Sequence, residues 1–161
     1  MNHKEYRFQF EEYPSAEALT QQDAALLNKA REATALAYAP YSNFKVGAVA
    51  QMQSGELVFG SNQENASYPV GMCAERVLLS TISSLFPNTP VKTIAISYHN
   101  GNGDSDHPIS PCGICRQTLT EFEDRMQQPM RVILGGMQGK VFIIPSAGSL
   151  LPLSFTTSDL K

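Results

Sequence analysis

The sequence predicts an α/β protein, with three layers (α/β/α) around a five-stranded mixed sheet that is largely parallel. Three observations predict this. Helical and strand-like segments follow the order α-β-β-α-β-α-β-β, and helices between successive strands imply crossovers with helices on both faces of a sheet. Ile94-Ala95-Ile96 is an unbroken apolar run, typical of a strand buried on both faces. The length of 161 residues suits one domain with a full hydrophobic core.

The elements follow in chain order. Residues 1–20 read as an N-terminal extension, and 21–161 as a single domain. Within the extension Tyr6, Phe8 and Phe10 alternate with polar residues, the pattern of a short strand or an extended arm. Thr20 is placed to cap a helix over about residues 21–37, which Pro40 cannot continue. Strands at about 44–51 and 57–61, joined by Ser54-Gly55, predict a hairpin. The polar run Asn62–Tyr68 before Pro69 reads as a loop that carries function. Cys73 opens a helix carrying Val77, Leu78, Leu79, Ile82 and Leu85, closed by Pro87 and Pro90. A strand at 91–98 follows, then a Gly- and Asp-rich loop at 99–110. A helix at about 112–126 and strands at 130–135 and 140–144 complete the body. The tail carries Leu150-Leu151-Pro152 and Phe155.

Composition excludes several classes. The formal charge is −3 and no basic run exists, which argues against a polynucleotide partner. No stretch approaches the apolar length of a membrane helix. The first residues lack the apolar core of a signal peptide, and the expected location is the cytoplasm. Three cysteines, two of them in a C-x-x-C, read in a reducing compartment as metal or redox chemistry before disulfide.

Those cysteines lie in Cys73-Ala74-Glu75-Arg76 and Pro111-Cys112-Gly113-Ile114-Cys115-Arg116. Three thiolates from two segments make a zinc site with one ligand missing, and a catalytic zinc keeps its fourth position for water or substrate. Glu75 is placed to move that water's protons. Residues i and i+2 do not share a helix face, so Cys73 is expected at the very first turn, where the partial positive charge favours a thiolate. Cys112 suits the same position on the next helix. Zinc with three thiolates carries net negative charge, and Arg76 and Arg116 are the candidates to offset it. A structural zinc site would need a fourth ligand, with His3, His99 and His107 available, and would leave Glu75 without a role.

Taken together, these motifs resemble the zinc-dependent cytidine deaminases, whose superfamily includes a three-cysteine variant with a non-ligand glutamate. Tyr38–Ala48, Asn62–Tyr68 and the tail at Leu150-Leu151-Pro152 with Phe155 also match. The resemblance covers about residues 21–160 and is greatest to the small, homotetrameric, all-cysteine enzymes acting on free nucleosides in pyrimidine salvage. It implies a cytidine deaminase-like fold and one zinc per chain on Cys73, Cys112 and Cys115. Glu75 would take a proton from the attacking water and deliver protons to the pyrimidine ring nitrogen and the leaving ammonia. Asn62 and Glu64 would hydrogen-bond the ribose 3′-hydroxyl, Phe44 would pack on the base, and the Ala74 backbone would hold the base edge. Ala66, Tyr68 and Phe155 would complete the pocket from neighbouring subunits. The expected reaction is hydrolysis of cytidine and 2′-deoxycytidine to uridine and 2′-deoxyuridine plus ammonia. The extension and the length of the 99–110 loop fall outside the common pattern.

Three rivals stand beside this reading. A deaminase for a related nucleoside such as blasticidin S shares the three cysteines, but Asn62-x-Glu64-Asn65 favours a ribose. Polynucleotide-editing deaminases resemble H-x-E proteins with basic surfaces, unlike this chain. The last rival is a non-enzymatic zinc module.

Overall fold

Alternation along the strands decides the layers. The structure is a computed structural model that describes residues 1–160. Its central strands are β2 (Phe44–Met52), β4 (Val91–Asn100) and β5 (Arg131–Gly135). On one face Ala48, Ala50, Ile94, Ile96, Val132 and Leu134 are buried in one cluster; on the other Val49, Ala95 and Ile133 are buried in a second. Because successive side chains point to opposite faces, a sheet with two apolar faces must be covered twice. Helix α1 (Gln21–Ala33) covers the Val49 face through Leu26, Leu27, Ala30 and Ala33. Helices α2 (Ala74–Leu85) and α3 (Gly113–Met126) cover the other through Leu78, Leu79, Ile82, Leu119 and Phe122. The three-layer expectation is therefore met.

Local chemistry sets the ends of these elements. Thr20 caps α1 as expected, its hydroxyl oxygen accepting from the Asp23 amide at 3.2 Å. The helix is shorter than expected and tightens into a 3-10 turn at Thr34–Leu36, where the Thr34 hydroxyl donates to the Arg31 carbonyl at 2.7 Å. Gly47 lets α1 lie almost on β2. A Cβ there would press into the Ala30 carbonyl and stand 2.6 Å from the Thr34 nitrogen.

The sheet corrects two expectations. It has six strands, not five, in the order β1-β6-β5-β4-β2-β3, with β1 at Glu11–Tyr13, β3 at Leu57–Ser61 and β6 at Val141–Ile144. It is mixed but not largely parallel, since only β4 and β5 pair in parallel. The crossover through α2 leads from β3 to β4, but β2 lies between them and runs antiparallel to both. The β2–β3 hairpin is as expected, and the inner position of β2 keeps β3 and β4 from pairing in parallel.

The extra strand comes from the extension, though not from the alternating Tyr6, Phe8 and Phe10. Glu11, Glu12 and Tyr13 pair with Ile143, Phe142 and Val141. Phe8 and Phe10 lie before it, with Phe10 against Phe142 at 4.8 Å between ring centroids. Tyr6 donates to the Ser149 carbonyl at 3.1 Å. No helix among the described residues is long and apolar enough to cross a membrane.

One ion pair ties the α1 end of the molecule to β5. Arg131 donates twice to Asp23, at 2.5 and 2.9 Å, and the Asp23 side chain is only 12% exposed. These bonds hold the Asp23 carboxyl below the usual carboxylate range. A lowered folded-state value means the contribution is present above the unfolded value of about 3.9 and is lost as pH falls through the folded one. Asp23→Ala is expected to lower unfolding free energy at pH 7 by about 1.5–3 kcal/mol. Urea denaturation at pH 7 and again near pH 3 checks this, with the difference between the two proteins smaller at the lower pH.

Candidate active site

The two cysteine motifs meet because two helices begin side by side. Cys73 is the N-cap of α2 and Cys112 the N-cap of α3. Cys115 follows one turn into α3 and is buried. All three sulfurs lie within 4.8 Å of one another, with Cys73 and Cys112 Sγ 3.8 Å apart. The expectation that both cysteines open their helices is met.

This donor set calls for a cation. The Cys115 thiol hydrogen-bonds Cys73 and lowers the Cys73 thiol to about 6, helped less by Cys112 and Arg76. The same bond raises Cys115, and burial and nearby Glu75 raise it further. One negative charge thus resists a second. A bound cation would offset that repulsion, and three sulfurs at this spacing fit zinc. Among the described residues no fourth His, Cys, Asp or Glu joins the cluster. His107, the fourth-ligand candidate from sequence, instead has its Nδ1 within 3.3 Å of the Tyr98 hydroxyl and 3.1 Å of Asp106.

The cluster opens on a cavity of about 520 Å³, lined by Cys73, Ala74, Glu75, Cys112, Asn62, Glu64 and Tyr68 among others. Glu75 is 5% exposed, and burial raises its carboxyl above the ordinary range. Ala74 is fully buried in the first turn of α2.

In the same lining Glu64 accepts hydrogen bonds from the Tyr41 amide at 2.9 Å, the Ser42 amide at 3.2 Å and the Ser42 hydroxyl. Those donors, the Ser42 hydroxyl first, hold it below the usual carboxylate range. Asn62 is fixed between backbone groups, accepting from the Val46 amide at 2.7 Å and donating to the Phe44 carbonyl at 2.9 Å. Tyr68 is exposed and meets Tyr41 edge-on at 5.9 Å.

Three expected pocket residues stand apart from the lining of this single chain. Phe44 is half-buried and stacks on Tyr98 at 5.0 Å. Ala66 is exposed. Phe155 is exposed on the tail, its carbonyl accepting from Gln117 at 2.8 Å. Arg76 is half-buried next to Glu75. Arg116 donates to the Pro111 carbonyl at 2.8 Å and the Leu150 carbonyl at 3.1 Å, tying the loop before Cys112 to the base of the tail. Sequence reasoning missed the lining residues Tyr41, Ser42, Ile109 and Ser110. The first two lie in the matching stretch Tyr38–Ala48, where the resemblance assigns a role to Phe44 alone.

Zinc-edge X-ray absorption is expected to show three sulfurs and one lighter oxygen scatterer, with about one zinc per chain by metal analysis. A fourth sulfur or an imidazole nitrogen would contradict the cluster described above.

Known proteins give a consistent comparison. A family model described as "Cytidine and deoxycytidylate deaminase zinc-binding region" matches residues 20–128. A cytidine deaminase of Halalkalibacterium halodurans is 36% identical, with 84% of this chain and 96% of that one covered. One from Mycobacterium tuberculosis is 38% identical, covering 84% and 90%. The crystal structure of cytidine deaminase from Burkholderia pseudomallei superposes with a TM-score of 0.72 at 40% identity, over 85% of this chain and all of that one. The matched stretch is more than half of the sequence and holds the whole thiol cluster, and the chain belongs to the cytidine and deoxycytidylate deaminase family.

Proposed function

We propose that the chain is a zinc-dependent cytidine deaminase that hydrolyses cytidine and 2′-deoxycytidine to the uridines with release of ammonia, as in pyrimidine salvage. One observation carries this reading: Cys73 and Cys112 of the three-thiol cluster line the same cavity as buried Glu75. Residues 21–161 would be the catalytic domain, with 1–20 as an extension that lends Glu11–Tyr13 to its sheet. Free thiols suit the reducing cytoplasm.

Zinc held by Cys73, Cys112 and Cys115 supplies the Lewis acidity that makes water nucleophilic near neutral pH. Water adds to the amino-bearing ring carbon, the bond from that carbon to the amino nitrogen breaks, and ammonia leaves. Glu75 takes one proton from the water and gives it to the ring nitrogen, then takes the remaining hydroxyl proton of the adduct and delivers it to the departing amine as the ring carbonyl forms. Burial supports this role, because a carboxyl with raised proton affinity can both hold a proton and pass it on. The Ala74 backbone, at the open N-terminus of α2, has the amide groups to hold the base edge. Glu64 and Asn62, fixed by their bonds to the backbone and Ser42, receive the ribose hydroxyl. Arg76 places positive charge near the Cys73 sulfur, and Arg116 acts on the loop before Cys112.

Glu75→Gln is expected to keep zinc and fold yet lose about 10²–10⁴-fold or more in turnover of cytidine, followed by absorbance. Retention of near-parental turnover would remove Glu75 from the mechanism.

Assembly follows from what one chain leaves open. Tyr68 and Phe155 are 75% and 59% exposed, and Phe44, Ala66 and Phe155 do not line the cavity. A homotetramer that brings such residues from neighbours would complete the pocket. Subunits carrying Glu75→Gln, co-refolded with subunits carrying Phe155→Ala, are expected to regain activity, because some mixed sites carry neither lesion. Sedimentation of a monomer, or no recovery in verified mixed oligomers, contradicts shared sites.

A further inference from the structure

The loop after β4 lines the cavity through Ile109 and Ser110 and grips the Ser42-Asn43 turn through Asn102. Asn102 donates its amide to the Ser42 carbonyl at 2.9 Å and accepts from the Asn43 amide at 3.1 Å. The Gly101 amide donates to the Asn43 carbonyl at 2.9 Å, and the Asn100 side chain accepts from the Asn102 amide at 3.0 Å. Asn43 sits in the left-handed region at φ 53°, a conformation Asn tolerates better than most residues. At Gly101 a Cβ would run into the Asn43 side chain, so the glycine lets the loop lie flush on the Ser42-Asn43 turn.

That turn in turn fixes Glu64. The Phe44 amide donates to the Ser42 hydroxyl oxygen at 3.0 Å, which leaves the hydroxyl proton to point at Glu64. The Tyr41 and Ser42 amides engage the other carboxylate oxygen. A carboxylate held by three donors stays an acceptor with a defined direction, and its free lone pairs remain for a ligand hydroxyl in the cavity.

We infer that Asn102 is a positioning residue: it locks the Ser42-Asn43 turn so that Ser42 aims the Glu64 carboxylate at the sugar hydroxyl of the substrate. The inference rests on the proposed nucleoside deamination. It gives the 99–110 loop a part in sugar recognition, although the loop supplies no contact from Asn102 to the substrate itself.

The test compares cytidine with 3′-deoxycytidine, which lacks the hydroxyl in question. In Ser42→Ala, kcat/KM for cytidine is expected to fall about 10-fold, mainly through KM, and Asn102→Ala is expected to lower it about 3- to 10-fold. Activity on 3′-deoxycytidine should change little in either variant, so the preference for the hydroxyl narrows. Ser42→Thr, which keeps a hydroxyl, should restore it. If Asn102→Ala does not fold, Asn102→Asp serves in its place, because it sets a carboxylate against the Ser42 carbonyl and loses the donor. Equal losses on both substrates would show a purely structural role and overturn the inference, as would no change on either. A parent protein that deaminates both compounds equally well overturns it and leaves the deaminase reading standing. A zinc-loaded parent inactive on both overturns that reading itself.

Discussion

Everything at the centre of this protein depends on holding three sulfur atoms within 4.8 Å of one another. Each sulfur gains a charge when it binds a metal, and those charges repel. The fold opposes this by setting two helix N-termini side by side, so that Cys73 and Cys112 sit where backbone N–H groups lack helical partners. Helix α2 must therefore approach α3 closely, and both must lie on the same face of the sheet. The buried cluster of Leu78, Ile82, Leu119 and Phe122 against Ile94, Ile96 and Val132 keeps them there. Placement of the thiols is thus a packing result before it is a coordination result.

The same arrangement explains how a second carboxylate can share the cavity without disturbing the first. Glu75 is enclosed beside the sulfurs, and low polarity raises its proton affinity. Glu64 stands on the exposed wall with donors from Tyr41 and Ser42, which favour its ionised form. Two glutamates in one cavity are driven in opposite directions by burial on one side and hydrogen bonding on the other. That contrast suits one to proton traffic and the other to steady recognition.

Much of this was legible in the sequence, and the exceptions have physical causes. The Thr20 cap, the Ser54-Gly55 hairpin and the helix starts at both cysteine motifs are local features, each set by a few neighbouring residues. The layers followed from apolar runs such as Ile94-Ala95-Ile96. Strand order did not, because the inner position of β2 depends on which strands meet across the whole chain. The sixth strand was hidden for a related reason. Glu11-Glu12-Tyr13 has no apolar alternation, and it pairs with residues near position 142. At the site, motif spacing identified the sulfurs and Glu75. The latch from Asn102 through Ser42 to Glu64 joins residues far apart in sequence by polar bonds, which leave no periodic trace.

Arg116 has a consequence for the order in which the molecule settles. Its guanidinium spans the carbonyl just ahead of Cys112 and the carbonyl at which the tail departs. Restraining either segment removes freedom from the other, so the entropy lost in fixing the metal-side loop is partly the entropy lost in fixing the tail. Loop and tail then behave as one cooperative unit, and disorder at the far end of the chain is felt as looseness beside the sulfurs.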